Sequence, residues 1–139
     1  MTKLVSIIIP SYNESVFLRE LINKIKSIDL KKIDFNYEII VVDDGSTDNT
    51  QEILSKISNI KTIYQKNSGK GNAVQNGIKL SNGNYILIQD ADLEYDPEDY
   101  FELLKPFHNN NKISVFGSRP KKIYNENNFF KNKHQKQNY

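Results

Sequence analysis

Two aspartates separated by one residue, Asp90 and Asp92, are the sharpest chemical feature of this 139-residue sequence. They follow a short apolar run at 85–88, and Glu94 comes two residues later. Paired carboxylates at the end of a buried strand can face one divalent ion, and hard oxygen ligands suit Mg²⁺ or Mn²⁺. Such an ion would bridge a diphosphate and offset the charge on a departing nucleoside diphosphate. The pattern therefore predicts a metal site with these three acids as ligands.

An Asp-x-Asp pair is also common in turns and helix caps, so its position has to decide between the two interpretations. Other acids follow apolar runs elsewhere: Asp43 and Asp44 come after 37–42, and Glu14 comes after 4–9. In open α/β sheets, ligands bind outside the carboxyl ends of the strands, and we expect these acids along that edge. Carboxylates gathered there need a cation, a hydrogen-bonding partner or raised pKa values to coexist. This placement favours the metal site.

Further residues near the same edge have the chemistry to bind a nucleotide. Asp44 can accept an N–H of a nucleobase, Tyr12 can stack on the base, and the backbone near Pro10 can frame it. Lys70, in a Gly-rich turn, and Arg119, after a later apolar run, can contact a diphosphate. The alternative for each is an ordinary strand-end or helix-entry turn.

Short apolar runs alternate with helical patterns along the chain. Strands are predicted at 4–9, 37–42, 60–64, 85–88 and 113–116. The stretches between the first four runs, and the one before the fifth, carry apolar residues at helical spacing. Continuous apolar strands joined by helical crossovers predict an α/β fold with a doubly wound, mostly parallel sheet that is covered on both faces.

Turn and capping residues refine the predicted helices. Ser46 is expected to cap the second helix, and Pro97 suits the first turn of the fourth. Ala73, Val74, Gly77 and Ile78 are expected on the inward face of the third helix, where the small residues would let it lie close to the sheet.

Charge is unevenly distributed along the chain. Five Lys and one Glu give residues 121–139 a net charge of +4, and because the whole chain carries +2, residues 1–120 carry −2. An acidic body argues against nucleic-acid binding, which needs clustered Lys and Arg. We therefore predict a domain over 1–120 and a basic, polar tail over 121–139, whose composition favours a disordered end over a segment that binds lipid or RNA.

Composition excludes several other classes. The absence of Cys excludes disulfides and thiolate sites and fits a reducing compartment, and two His are too few for a His-rich metal site. His108 is interpreted as a surface cap. No apolar run approaches the length of a membrane helix, and no signal-peptide cleavage site is found. These features predict a cytoplasmic protein.

Five segments together resemble the family 2 glycosyltransferases, the inverting enzymes of the GT-A fold. They are V-S-I-I-I-P-S-Y-N-E at 5–14, I-I-V-V-D-D-G-S-T-D at 39–48, G-K-G-N-A-V-Q-N-G at 69–77, D-A-D-L-E-Y-D-P-E-D-Y at 90–100 and V-F-G-S-R at 115–119. Their order and spacing match throughout, over residues 4–119. The last two segments look like the branch that contains dolichyl-phosphate mannose synthase and related polyprenyl-phosphate glycosyltransferases.

The resemblance implies a Rossmann-like, GT-A nucleotide-sugar-binding domain, a UDP- or GDP-linked sugar as donor, and Mg²⁺ or Mn²⁺ as cofactor. The residues that it implies as nucleotide contacts are Pro10, Tyr12, Glu14 and Asp44, and those that would hold the metal and the donor diphosphate are Asp90, Asp92 and Glu94. Many relatives have Gln where Glu94 stands, so this residue would add a negative charge. No residue is predicted as a catalytic base.

Two functions stay open, because the family continues past the G-S-R turn with a segment that builds acceptor contacts, and 120–139 do not resemble it. The first is a glycosyltransferase whose acceptor is a polyprenyl phosphate at the inner face of the membrane; that acceptor is already ionised and needs no base. The second is a donor-binding module that is inactive alone or is completed by a partner chain.

Two other acid-rich α/β classes do not match. A phospho-acceptor receiver domain has its paired acids after the first strand, whereas here they follow the second. A dehalogenase-type phosphatase would need Thr or Val at position 94, where this chain has Glu94, and three predicted strands precede the one that carries its motif.

Overall fold

The computed structural model describes residues 2–110 and 112–117 and divides the chain into two compact units, Met1–Leu93 and Glu94–Tyr139. Arg119 and the predicted tail over 121–139 lie outside the described residues. The strands of the first unit are β1 (Lys3–Ser11), β2 (Phe35–Asp43), β3 (Lys61–Tyr64) and β4 (Tyr85–Ile88), and its helices are α1 (Leu18–Lys26), α2 (Thr50–Ser55) and α3 (Lys70–Lys79). A one-turn 3₁₀ segment, Leu30–Ile33, precedes β2.

The second unit contains α4 (Tyr100–Leu104), which lies between two one-turn 3₁₀ segments, Pro97–Asp99 and Lys105–His108. Pro97 occupies the first turn, as predicted, where its missing N–H costs nothing. His108 is exposed at the end of its segment. In the described part of both units, no helix is long and apolar enough to span a membrane.

The four strands form one parallel sheet in the order β3-β2-β1-β4. The chain adds strands in one direction from β1 to β3 and then crosses back to place β4 on the other side of β1. Because right-handed crossovers put helices on opposite faces before and after such a reversal, the sheet is covered from both sides. The prediction of a doubly wound α/β fold is confirmed.

The central strand explains why the sheet forms where it does. Ile7, Ile8 and Ile9 are all fully buried, as expected for a continuous apolar run that faces a helical layer on each side. The reversal of strand order lies between β1 and β4, and in sheets of this order the crevice that binds ligands opens beside that point.

Helix α3 lies unusually close to the sheet at Gly77. A Cβ placed on this glycine would come within 2.5 Å of Ile8 Cγ2 and 3.3 Å of Val42 Cγ2. Ala73, one turn earlier, is fully buried. The small residues therefore have the predicted role, whereas Ile78 does not: it is 43% exposed, because it lies just outside the narrow face that α3 presents to the sheet.

A polar cluster ties the loop after α3 to the sheet. Glu38, on β2, accepts hydrogen bonds from Ser6 Oγ (2.5 Å), Lys61 Nζ (2.7 Å) and the Asn82 backbone N–H (2.6 Å). Burial opposes ionisation of this carboxyl, but the bonds from Lys61, Ser6 and Asn82 lower the pKa of Glu38 to about 2. The cluster is structural, because its partners satisfy the charge locally.

The predicted fifth strand at 113–116 is wrong. Residues 113–117 have no regular structure, and Phe116 is 78% exposed. A strand needs a hydrogen-bonding neighbour, and none of the strands in the described residues pairs with this segment. An apolar run alone therefore did not suffice to define a strand here.

We expect Gly77→Ala to destabilise the protein by about 1–3 kcal/mol, the usual cost of overpacking a core. The gain in helix propensity, about 1 kcal/mol, offsets only part of this cost. Gly71→Ala, in the first turn of the same helix, is the matched control, because a Cβ there meets nothing within 4 Å. Urea denaturation measures both; equal stability of the two variants would contradict the close approach of α3.

Candidate functional site

A cavity of about 280 Å³ opens at the carboxyl edge of the sheet in the first unit. Its lining comes from the end of β1, from the segments that follow β1, β2 and β4, and from the first turns of α3. The structure thereby brings together seven of the nine predicted site residues: Pro10, Tyr12, Glu14, Asp44, Lys70, Asp90 and Asp92. The cavity lies beside the reversal of strand order, where an open α/β sheet is expected to bind its ligand.

The other two predicted site residues are not part of this group. Glu94 is the first residue of the second unit, and Arg119 lies outside the described residues. Their roles toward metal and phosphate stay predictions.

The path of β4 sets the position of the aspartate pair. The last residue of β4 that pairs with β1 is Ile88, which lies opposite Ile8. The next N–H, that of Gln89, still donates to the Ile8 carbonyl at 2.9 Å. The chain then leaves the sheet, so that Asp90 and Asp92 lie at the strand end rather than along it. The predicted strand-end geometry of the pair is present.

Lys70 and Asp90 form an ion pair between Lys70 Nζ and Asp90 Oδ1. The lysine side chain is 55% exposed and the aspartate side chain 20% exposed, so the pair is open to solvent on one side. Among the described residues that line the cavity, Lys70 is the only Lys or Arg. A cation therefore already balances one carboxylate of the site.

Asp44 is buried and holds the loop that leads into α3. Its Oδ1 accepts hydrogen bonds from Gln65 Nε2 and the Ser68 N–H, both at 2.8 Å, and its Oδ2 accepts from the Gly69 N–H at 2.9 Å. Burial opposes ionisation, but these three bonds lower the pKa of Asp44. Besides its predicted contact with a base, Asp44 thus positions the residues just before Lys70.

The pKa of Glu14 reflects the other acids at this edge of the sheet. Burial raises the pKa of Glu14, and the negative charges of Asp92, Asp48 and Asp90 raise it further. Carboxylates from three separate loops therefore contribute to one negative field. The mutual repulsion expected from the sequence is present at this carboxyl.

Asn13 joins the loop after β1 to the loop after β2. Its Oδ1 accepts from the Thr47 N–H at 2.8 Å and the Asp48 N–H at 3.3 Å, and its own N–H donates to Ser46 Oγ at 2.9 Å. Its φ of +55° is the left-handed conformation, which Asn tolerates better than most residues. This loop contact fixes the backbone on either side of Asn13, where Tyr12 and Glu14 reach the cavity.

Asp48 completes the same connection and accepts a hydrogen bond from the first residue of α2. Its Oδ1 accepts from the Thr50 N–H at 2.9 Å, and its Oδ2 accepts from the Ser15 N–H at 3.2 Å. Burial opposes ionisation, but hydrogen bonds from Thr50 and Ser15 lower the pKa of Asp48 to about 2. The prediction that Ser46 caps α2 is wrong, because α2 begins at Thr50 and the Ser46 hydroxyl is turned to Asn13 instead.

Sequence reasoning missed Gln65 and Asn13 as residues that support the site. Gln65 bonds the Asp44 carboxylate and in turn accepts from Asn76 Nδ2 at 2.7 Å. Nothing in the spacing of the chain pairs Gln65 with Asp44, which lies 21 residues away. For Asn13, the available signal was its type, because Asn in a strand-end turn suggests a left-handed residue.

The carboxylates of the cavity fit a divalent ion that is shared with a phosphate ligand. Among the described residues, no group of three or more acidic or histidine side chains is arranged to hold a metal by itself. Mg²⁺ is commonly bound through one or two carboxylates plus substrate phosphates rather than by an all-protein cage. Asp90 and Asp92 supply that number of hard oxygen ligands next to an open cavity.

Comparison with known proteins now decides the family. The model of glycosyl transferase family 2 matches residues 6–139. The chain belongs to glycosyl transferase family 2. This family 2 chain is 40% identical over 119 residues to the dolichol-phosphate mannosyltransferase of Pyrococcus furiosus, with 83% of the chain and 33% of that protein covered. The predicted resemblance, including its polyprenyl-phosphate branch, is confirmed.

Two solved structures of glycosyltransferases have the same fold as this family 2 chain. Staphylococcus aureus TarS 1-349 in complex with UDP aligns with a TM-score of 0.62 and 31% identity, over 78% of the chain and 33% of TarS. The glucosyl-3-phosphoglycerate synthase of Mycobacterium tuberculosis, in complex with Mn²⁺, UDP and phosphoglyceric acid, aligns with a TM-score of 0.62 and 25% identity. This alignment covers 76% of the family 2 chain and 39% of the synthase chain. As in these two alignments, the family 2 chain spans only part of the Pyrococcus relative, about a third of its length.

We expect Asp44→Ala to loosen the loop before α3. Hydrogen bonds to charged groups contribute about 1.5–3 kcal/mol each, so amide exchange at Ser68 and Gly69 should accelerate by about 10- to 100-fold. Hydrogen exchange followed by NMR measures it. Asp29→Ala, which removes an exposed carboxylate that accepts from Lys31 N–H, is the control and should leave both amides unchanged. Unchanged protection of Ser68 and Gly69 in Asp44→Ala would contradict the positioning role.

Proposed function

We propose that this chain binds the donor of a glycosyl transfer, a UDP- or GDP-linked sugar, together with Mg²⁺ or Mn²⁺. We propose further that this glycosyl transfer moves the sugar to a polyprenyl phosphate with inversion at the anomeric carbon. The observation that carries the proposal is the single cavity, at the reversal of strand order, into which seven predicted site residues converge in a family 2 chain.

The nucleoside would be held at the β1 and β2 side of the cavity. Tyr12 is 47% exposed there, which leaves a ring face available for stacking on the base. Asp44 has three of its roughly four acceptor positions filled by the loop before α3, so one remains for a base N–H. Pro10, at the end of β1, would frame the base with its backbone.

The diphosphate would lie between Asp90, Asp92 and Lys70. Both aspartates would hold the divalent ion, which when bound would neutralise part of the charge that builds up on the leaving diphosphate. Lys70 would donate to a phosphate oxygen from the start of α3. The Mn²⁺ and UDP in the related M. tuberculosis synthase support this chemistry.

The transfer itself needs few groups from the protein. An oxygen of the acceptor phosphate would attack the anomeric carbon from the side opposite the diphosphate, and the bond from that carbon to the diphosphate oxygen would break. The configuration then inverts, and the nucleoside diphosphate leaves with the bonding electrons. An ionised phosphate needs no base. The P. furiosus relative, a dolichol-phosphate mannosyltransferase, supports an acceptor of this class.

A second candidate function is a donor-binding module that another chain completes. The observation that favours it is that predicted donor residues converge on one cavity, whereas the described residues include no recognised acceptor group. Binding of the donor needs only the cavity, whereas transfer also needs the acceptor held in line with the anomeric carbon. The two functions therefore differ in turnover and agree in donor binding.

Calorimetric titration with UDP and GDP tests the donor site. We expect binding in Mn²⁺ that is lost in EDTA, and Asp92→Asn should weaken it by about tenfold or more, because it removes a charged metal ligand. Asp29→Asn changes the net charge equally at an exposed position away from the cavity and should bind as wild type does. Equal affinity in Mn²⁺ and EDTA would contradict the proposed metal-dependent site.

Transfer of radiolabelled sugar from UDP- and GDP-sugars to polyprenyl phosphate separates the two functions. Turnover in the ordinary enzyme range, about 1 s⁻¹ or faster, would identify the chain as a complete enzyme. We expect donor binding with slow or no transfer, because the described residues include no recognised acceptor group. Asp92→Asn, in which donor binding is expected to be weakened, serves as the background control.

A further inference from the structure

We infer that Lys70 pairs with Asp90 as its counter-ion when the donor is absent. When nucleotide and metal bind, the Lys70 ammonium group moves from Asp90 to the donor diphosphate, an exchange of one partner for another. The inference rests on the proposed function, since it assigns one residue two successive partners in the same cavity. The observation that carries it is the ion pair between Lys70 Nζ and Asp90 Oδ1, because Asp90 is one of the two carboxylates proposed to hold the metal.

The positions of the two residues allow such an exchange. Lys70 is the first residue of α3, and its backbone follows the Ser68–Gly69 segment that Asp44 holds. The side chain beyond that anchored backbone is 55% exposed, and a lysine has a flexible four-carbon stem with three rotatable donors. The ammonium group can therefore change partners within the cavity while α3 stays in place.

Electrostatics predicts that Lys70 and a divalent ion compete for Asp90. An ammonium bound to one oxygen of a carboxylate cancels much of the charge that would attract a metal, and it repels a dication placed on the same group. Without nucleotide, Lys70 should therefore weaken metal binding. The negative field at Glu14, to which Asp90 and Asp92 contribute, shows why this edge retains a cation when no ligand is bound.

When a nucleoside diphosphate is bound, Lys70 favours metal binding instead of weakening it. Its phosphates bring negative charge, so the ammonium gains a new partner as it leaves Asp90, and the freed carboxylate becomes available to the metal. Metal and nucleotide then bind with positive coupling, and linkage requires that each raises the affinity for the other by the same factor. Lys70 thus opposes the metal alone and favours the metal with nucleotide.

The test compares Lys70→Met with wild type in two titrations of the full chain. Mn²⁺ alone is followed by the paramagnetic broadening of the Asp90 and Asp92 amide signals, and UDP, or GDP if the wild type prefers it, is followed by calorimetry in Mn²⁺. We expect Lys70→Met to bind Mn²⁺ alone about 1.5- to 5-fold more tightly, the range for loss of a competing, partly exposed ion pair. It should bind the nucleotide about tenfold or more weakly.

Two further variants test whether the change in Mn²⁺ affinity depends on the cation at position 70 rather than on net charge. Lys79→Met removes the same charge from the other end of α3, outside the cavity, and should change neither titration. Lys70→Arg retains a cation that can pair with Asp90 and should bind Mn²⁺ alone as weakly as wild type does. An increase in Mn²⁺ affinity in Lys79→Met equal to that in Lys70→Met would overturn the inference, because net charge would then explain it.

The exchange and the proposed function fail in different ways. If Lys70→Met weakens nucleotide binding but leaves the affinity for Mn²⁺ alone unchanged, Lys70 is only a phosphate ligand, and the exchange is wrong while the donor site stands. If the wild-type chain binds neither UDP nor GDP in Mn²⁺, the proposed function is wrong, and the exchange is overturned with it.

Discussion

Mutual repulsion among carboxylates collected at one sheet edge is the constraint on which the site depends. Parallel strands end side by side, so acids that follow β1, β2 and β4 must share one small region. The structure compensates each in its own way: Asp44 accepts three hydrogen bonds, Asp90 pairs with Lys70, and Glu14 has a raised pKa. The remaining negative field attracts cations, which supports the proposed divalent ion at this edge.

The loops around the cavity are held by side chains rather than by the sheet ladder. Asn13 ties the loop after β1 to the loop after β2, and Asp44 ties the loop after β2 to the start of α3. Each connection supplies acceptors to backbone N–H groups that would otherwise need water. The loop is therefore ordered with a net gain in the free energy of folding. Close packing of α3 at Gly77 then sets the helix, and with it Lys70, at a fixed depth over the sheet.

Most of the fold could be predicted because its signals are local. The run 85–88 coincides with β4, and the Asp90–Asp92 pair lies at the strand end where periodicity placed it. The supporting bonds of Asp44 could not be predicted, since the partner Gln65 lies on another loop and only the folded topology brings the two together. The strand expected at 113–116 failed for the same reason, because pairing is a non-local property that composition does not report.

The central claim is that this carboxylate edge is a nucleoside diphosphate site built around a divalent ion. A crystal structure of the chain grown with UDP and Mn²⁺, in which anomalous scattering locates the manganese, tests it most directly. The account predicts manganese on carboxylate oxygens of both Asp90 and Asp92, with the diphosphate beside Lys70 and the base next to Tyr12. Manganese bound elsewhere, or UDP outside the cavity, would contradict it.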